Sequence, residues 1–333
     1  MKKYDVCGIG NALVDMEIKV SDDFFIQNKI DKGLMTLIDE NRRSELFKLT
    51  SNLPINRACG GSAANTVIAV SQFGGRSFYS CKVAGDENGK FYLADMKENG
   101  VEVNLDPGHL LQGTTGTCLV MVTPDADRTM NTYLGITSDF SKSEVRFDVI
   151  EQAKFLYIEG YLVASPTGQV AAVEAAHYAR KAGTKIAITF SDPNMVKYFK
   201  QNFGQIIQPG VDLIFCNEAE AFVFTGKDNL KEAREELKKY AKAFVITQGE
   251  NGAMIWDGQT FLDIEPYAVQ AVDSNGAGDM FAGAFLYAIT NGHTMASAGK
   301  LASLASSKVV SQYGPRLKWH QAKEIHHQLF GAE

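Results

Sequence analysis

The residues best suited to chemistry in this 333-residue chain lie in Ala271-Val272-Asp273-Ser274-Asn275-Gly276-Ala277-Gly278-Asp279-Met280-Phe281-Ala282-Gly283-Ala284-Phe285. The segment reads as a strand end, a tight turn of small residues and then an apolar helix. Gly276, Ala277 and Gly278 carry little or no side chain, so their N–H groups can approach an anion, and the opening of the helix adds the positive end of its dipole. Asp279 falls in the first helical turn beside this cradle. A carboxylate there can take a proton from a hydroxyl while the cradle stabilises charge on a transferring phosphoryl group. The same spacing also suits a plainly capped helix, with Ser274 or Asn275 as N-cap and Asp279 complementing the dipole.

Other stretches carry weaker signals of the same kind. Gly60-Gly61 precedes an amphipathic helix, giving backbone freedom and close approach to a ligand, and Asn65 supplies a neutral donor and acceptor; a loop entering a helix with a buried Asn reads the same way. Asn217-Glu218-Ala219-Glu220 follows the apolar run 211–216, at a strand's carboxyl end, where ligands of open α/β sheets collect. An N-cap with an acidic first turn is the competing reading. In Ile246-Thr247-Gln248-Gly249-Glu250-Asn251-Gly252-Ala253 the glycines permit close approach, as a plain hairpin turn would also require. Gly85-Asp86-Glu87 marks a helix start.

The elements that must position these residues alternate between strand and helix, the pattern of helices on both faces of a largely parallel sheet. Strands are expected at 4–10, 77–83, 154–159, 185–190, 211–216 and 243–247, each short and rich in β-branched or aromatic residues. Helical periodicity is clearest at 62–73, 87–98, 168–182, 230–241, 277–291 and 296–312. Two segments, roughly 14–38 and 112–136, break the alternation. They are expected to pair as a small sheet beside the main domain, a lid over the ligand cleft; extension of the main sheet's edge is the alternative. The whole of 1–333 is read as one domain.

Composition narrows the class. With 45% hydrophobic and 22% charged residues and a formal net charge of −6, the chain is an ordinary globular one and a poor polyanion binder, so no nucleic acid is expected. Five dispersed cysteines without a C-x-x-C pair suggest neither a disulfide framework nor a zinc site. No apolar run approaches the ~20 residues that span a bilayer, and no signal peptide is evident at the start, so a cytoplasmic protein with no membrane partner is expected. A Walker A loop and the protein-kinase motifs are missing. Neither the six histidines nor the adjacent His326-His327 pair has ligand spacing.

Asp273-Ser274-Asn275-Gly276-Ala277-Gly278-Asp279 closely resembles the C-terminal signature, D-T-x-G-A-G-D, of the ribokinase or PfkB family of carbohydrate and nucleoside kinases, with Ser274 for the usual Thr. Arg57-Ala58-Cys59-Gly60-Gly61-Ser62-Ala63-Ala64-Asn65-Thr66 resembles its N-terminal signature, and Gly8-Ile9-Gly10-Asn11-Ala12-Leu13-Val14-Asp15 its opening strand. Asn217 to Glu220 matches its N-x-x-E element, and Thr247 to Gly252 its T-x-G-x-x-G turn.

The resemblance implies a ribokinase-like three-layer α/β sandwich with a small β lid and an ATP-dependent kinase. Asp279 would be the base, and Gly276, Ala277 and Gly278 the anion cradle. Asn11, Asp15, Gly60, Gly61 and Asn65 would meet the substrate together with Asp279. Asn217, Glu220, Thr247, Gly249 and Gly252 would lie on the ATP side with Gly276 and Gly278, and Glu220 would order Mg2+ through water. The family commonly has a monovalent-cation site, such as one for K+, near the C-terminal signature. The opening Gly10-Asn11-Ala12-Leu13-Val14-Asp15 is more similar to the adenosine-kinase branch, which favours a nucleoside substrate over a free sugar such as ribose or fructose. A non-catalytic nucleotide or sugar sensor is the reading from another class. Relatives occur as monomers and as homodimers, and either is expected. Arg128 is expected to be a solvent-facing lid arginine, contact with substrate or phosphate being the alternative.

Overall fold

The computed structural model describes residues 2–33, 35–124 and 128–331. Leu34 and 125–127, inside the two segments expected to form the lid, and the terminal residues 1, 332 and 333 lie outside the described residues.

Nine strands form the central sheet, in the order Phe261–Ile264, Ala253–Trp256, Ala241–Thr247, Val211–Asn217, Lys185–Thr189, Ala153–Ile158, Tyr4–Ile9, Ser77–Ser80, Glu102–Val103. All neighbours are parallel from Ala241–Thr247 to Glu102–Val103, and the first two strands add an antiparallel hairpin at one edge. All six strands expected from the sequence lie in this sheet. Past a charged residue at the second position of four of them, Asp5, Lys154, Asp212 and Lys242, their side chains are mostly apolar because both faces are covered. In Val211–Asn217, Leu213 and Phe215 enter one core and Ile214 and Cys216 the other; in Ala241–Thr247, Ala243 and Val245 oppose Phe244 and Ile246 in the same way. This period of two puts every second side chain on the same face.

Helices Ser62–Gln72, Glu87–Glu98, Ala277–Thr290, Met295–Val310 and Trp319–Phe330 cover the first face, and Pro166–Ala182, Pro193–Ile207, Glu218–Thr225 and Leu230–Leu237 the second. The result is three layers. On the first face, Ser62–Gln72 crosses Ala277–Thr290 with almost no separation at Gly283, where a Cβ would stand 2.5 Å from the Thr66 carbonyl oxygen and 2.5 Å from the Ala69 Cβ. This close crossing brings the N-terminal turns of the two helices side by side.

A second, five-stranded sheet stands apart in the order Met35–Leu37, Arg128–Tyr133, Gly116–Val122, Leu13–Lys19, Asn56–Gly60. It draws on a third segment besides those around 14–38 and 112–136: Asn56–Gly60, expected to be loop, pairs antiparallel with Leu13–Glu17. The helix Glu40–Thr50, which the sequence reading did not single out, lies between Met35–Leu37 and this strand in the chain.

Several local expectations give way to pairing and capping. The helix expected over 230–241 stops at Leu237, because Ala241 is needed opposite Val211 in the sheet. Val272 and Asp273 are not a strand end; their N–H groups both donate to the Val310 carbonyl, at 2.8 and 3.0 Å, holding a loop against the end of Met295–Val310. Neither Ser274 nor Asn275 caps the following helix. Gly276 is its N-cap, with φ of 73°, and Pro315 fills the space a Cβ would need there. Asp86 does cap Glu87–Glu98, accepting from the Gly89 N–H at 2.8 Å.

Candidate active site

The carboxyl ends of the parallel strands and the inner face of the second sheet enclose a cavity of about 380 Å³. Asp279, third residue of its helix and partly exposed, opens onto it. The helix crossing at Gly283 sets its partners: Ser62 Oγ donates to Asp279 Oδ1 at 2.6 Å, and Asn65 Nδ2 donates to Oδ2 at 3.0 Å. Burial raises its carboxyl to about 6, against the two hydrogen bonds and the charge of Arg316, which favour the ionised form. That places it near neutrality, where a base serves best.

The cradle beside Asp279 is narrower than the sequence suggests. Gly276 and Gly278 line the cavity, whereas Ala277 does not, and its N–H is engaged with the Ser274 carbonyl at 3.3 Å. A Cβ at Gly278 would meet nothing within 4 Å, so this stretch of backbone is open to a ligand.

Asp15 projects from Leu13–Lys19 and lines the same cavity. Burial is the largest influence on it and pushes its carboxyl up to about 7, while Arg316 pulls the other way and Asp279 adds to the rise. Gly60 does not face the cavity. A Cβ on it would run into the Asp15 carboxylate, so this glycine makes room for the acid. Gly61 has φ of 102° and packs on the Asn11 carbonyl with no space for a side chain.

Asn11 is held by a residue that the sequence reading passed over. Glu159 ends the strand Ala153–Ile158 and is 1% exposed. Its Oε1 accepts from the Asn11 N–H at 3.2 Å and from Asn11 Nδ2 at 3.0 Å, and its Oε2 accepts from the Ala63 N–H at 2.9 Å. Burial raises its carboxyl to about 7 despite these bonds. The only signal for it was an acid closing an apolar strand next to Gly160.

Asn217 and Glu220 form a capping box. Asn217 Oδ1 accepts from the Glu220 N–H at 2.8 Å, and the Glu220 carboxylate accepts from the Asn217 N–H at 3.0 Å and from Nδ2 at 2.9 Å. Both residues line the cavity, and burial raises the Glu220 carboxyl to about 7. Thr247 also lines it; Gly249 and Gly252 do not. Gly252 packs against the end of Phe261–Ile264, which explains this glycine by hairpin geometry.

Two arginines complete the surroundings. Arg128 is not solvent-facing: its side chain is 10% exposed, its Nη2 donates to Glu17 Oε2 at 3.1 Å, and it contacts Asp273 directly. Asp273 also accepts from the Asn275 N–H at 2.9 Å and the Gly314 N–H at 2.8 Å. Arg316, in no motif, donates from Nε to Asn65 Oδ1 at 3.1 Å. Among the described residues no group of three or more His, Cys, Asp or Glu could hold a metal ion, and no helix is long and apolar enough to cross a membrane.

The arrangement has a carboxylate held by two donors, an open N-terminal helix turn and a buried set of polar groups suited to a hydroxylated ligand. A family model described as pfkB family carbohydrate kinase matches residues 43–322. The adenosine kinase from Sinorhizobium meliloti is 36% identical, with a TM-score of 0.88 over 97% of this chain and 99% of that one. A probable sugar kinase protein from Rhizobium etli CFN 42 is 35% identical, with a TM-score of 0.90 over 98% and 99%. A probable fructokinase-4 from Arabidopsis thaliana is 30% identical over 249 residues, 71% of this chain and 74% of that protein. With the family match spanning most of its length and these folds superposing end to end, the chain belongs to the pfkB family of carbohydrate kinases.

Proposed function

We propose that this kinase transfers the γ-phosphoryl group of ATP to the hydroxymethyl group of a ribose-containing molecule, a nucleoside such as adenosine. The observation that carries the choice of substrate is the cavity's lining. Besides the polar groups of Asp15, Asn65 and Asp279 it includes an apolar wall, with Leu13, Met35, Leu37 and Met130 from the second sheet and Leu134 just after it. A nucleoside matches that lining, with ribose hydroxyls on the polar groups and a flat base against the wall. The similarity to the adenosine kinase from Sinorhizobium meliloti supports the same reading. A free sugar, hydroxylated all round, would leave the wall unmatched. The likeness to a probable sugar kinase and a probable fructokinase keeps a free-sugar kinase as the second reading.

In this reaction Asp279 takes the proton of the acceptor hydroxyl as its oxygen attacks phosphorus, and Ser62 and Asn65 hold the carboxylate in place for it. The N–H groups at Gly278 and Asp279, in the first helical turn, face the developing charge. Asp15 accepts from the ribose hydroxyls, a task for which two carboxylate oxygens are suited. The second sheet acts as a lid that keeps water from the γ-phosphate.

ATP is expected with Mg2+, which when bound neutralises phosphate charge. Glu220 fits such an ion through water: it borders the cavity, and its oxygens already take two N–H donors from Asn217. We assign no step to a monovalent cation. A cytoplasmic setting is supported by five cysteines that are all buried and unpaired.

An ADP-release assay across nucleosides and free sugars tests the proposal. Adenosine or a close analogue should turn over with the highest kcat/KM, and Asp279→Asn should lower kcat by ~10²–10⁴-fold without loss of folded protein. Preference for a free sugar would move the assignment to the second reading. Tight binding without turnover of any compound would leave only the sensor.

A further inference from the structure

We propose that Arg316 is a positioning residue for phosphoryl transfer, fixing the Asn65 side-chain amide so that it presents its NH2 group to Asp279, and tying that amide to the strand Asn56–Gly60 of the second sheet at Cys59. The inference rests on the kinase reading given above.

Arg316 lies in the stretch between Met295–Val310 and Trp319–Phe330, and its side chain is 11% exposed. Three groups from three different elements meet its guanidinium. Nε donates to Asn65 Oδ1 at 3.1 Å, Nη1 donates to Asp95 Oδ2 at 3.0 Å, and Nη2 donates to the Cys59 carbonyl. Asp95 Oδ2 also accepts from the Cys59 N–H at 2.7 Å. Both backbone groups of Cys59 are therefore clamped, one residue before Gly60-Gly61.

The consequence for Asn65 follows from donor and acceptor types. The two ends of an Asn amide have nearly the same shape and opposite polarity, and a guanidinium has donors only. With Arg316 on one side, Oδ1 must turn toward it, which leaves Nδ2 for the Asp279 carboxylate, where it sits at 3.0 Å. Without Arg316 the amide is free to turn over and set its oxygen against the ionised base. A lysine cannot replace the fork, since one ammonium does not span Asn65, Asp95 and Cys59 in this planar pattern.

Arg316 also bears on the titration of the base. Its charge favours the ionised form of both Asp279 and Asp15. The other groups around Asp279 do not offset its loss. Ser62 and Asn65 are neutral donors, and Asp15, Glu159, Tyr157, Tyr161 and Tyr79 are acids coupled to it by charge.

The test uses Arg316→Ala and Arg316→Lys in the full chain, with two readouts. One is the initial rate with adenosine and MgATP from roughly pH 5 to pH 9. The other is the 13C titration of the Asp279 carboxyl in the unliganded protein, assigned by its loss in Asp279→Asn. Arg316→Ala should lower kcat by ~10–100-fold with a smaller change in KM. The Asp279 midpoint and the acid limb of the rate profile should both move up, by about half a unit to one unit. Guanidinium ion added to Arg316→Ala should restore part of the rate. Arg316→Lys should return the midpoint toward the parent value and leave kcat at least ~10-fold low, because charge is kept and the fork is lost.

A parent-like midpoint together with kcat within about twofold of the parent in Arg316→Ala would overturn the inference. If Arg316→Ala does not fold, Arg316→Lys decides, a kcat within about twofold of the parent again being fatal. Absence of turnover in the parent itself would count against the kinase reading, while the carboxyl titration would still judge Arg316.

Discussion

Gly283 lies against Ala69 so closely that a Cβ on the glycine would stand 2.5 Å from the alanine's own Cβ. The contact lies outside the cavity lining, one helical turn beyond Asp279, and it sets the separation of the two helices whose first turns carry Ser62, Asn65 and Asp279. Gly283→Ala should therefore cost ~1–3 kcal/mol through overpacking. It should also lower kcat by loosening the hydrogen bonds to Asp279. Urea denaturation and turnover, measured on the same preparation, check both effects; a variant with parent stability and rate would show that the crossing does not set the site.

Activity should rise with pH through about 6 and then level off, because the Asp279 carboxyl, raised to about 6 by burial, must be ionised to act as base. Ser62→Ala removes a donor that favours the ionised form, so the rising limb should move to higher pH by up to about one unit. A limb that stays in place, or moves down, would separate Ser62 from the titration of the base.

Unfolding should show the opposite pH trend. Asp15, Glu159 and Glu220, at about 7, and Asp279, at about 6, all hold protons more tightly folded than unfolded. The folded state therefore carries more protons between roughly pH 4 and pH 7, and stability falls as pH rises across that window. Carboxyls held low, such as Asp95 and Glu144, pull the other way only at the acid end of the window, where their unfolded forms still carry protons, and add little above about pH 5. The ligand-free protein should melt at a higher temperature at pH 5 than at pH 8, and Asp15→Asn should shrink the difference. Thermal scans of both proteins across this range are sufficient.

Asp273→Ala should destabilise by ~1–3 kcal/mol, since it removes the buried contact with Arg128, which keeps Glu17, and takes the acceptor from the N–H groups of Asn275 and Gly314. The Asp273 side chain has no exposure. Chemical denaturation with matched slopes would measure the loss; a cost below about 1 kcal/mol would place the pair among the weak surface bridges.

The parts of this architecture that local physics controls are visible in the residues themselves. Strands such as 211–217 and 241–247 announce themselves by length and β-branched content, and Gly276 to Asp279 by the small residues that open a helix. What depends on distant partners is not visible. Arg128 reads as a surface arginine until Asp273, 145 positions away, is seen against it. Glu159 looks like any acid at a strand end, and only the fold brings the N–H groups of Asn11 and Ala63 to it. Arg316 carries no local mark, because Asn65 lies 251 positions earlier. Gly60 and Gly252 have a second explanation that their sequence context does not show: Gly60 accommodates Asp15 and Gly252 serves the hairpin.

The strand Tyr4–Ile9 sits between Ser77–Ser80 and Ala153–Ile158, so the earliest-made plank of the sheet is an inner one. During synthesis it must wait, unpaired on one edge, until the ribosome has delivered residues as far as 158, and its apolar side chains are exposed to chaperones meanwhile. Losing this strand would cut Ser77–Ser80 and Glu102–Val103 off from the rest of the sheet, whereas shortening the helix Trp319–Phe330 would only uncover one outer layer.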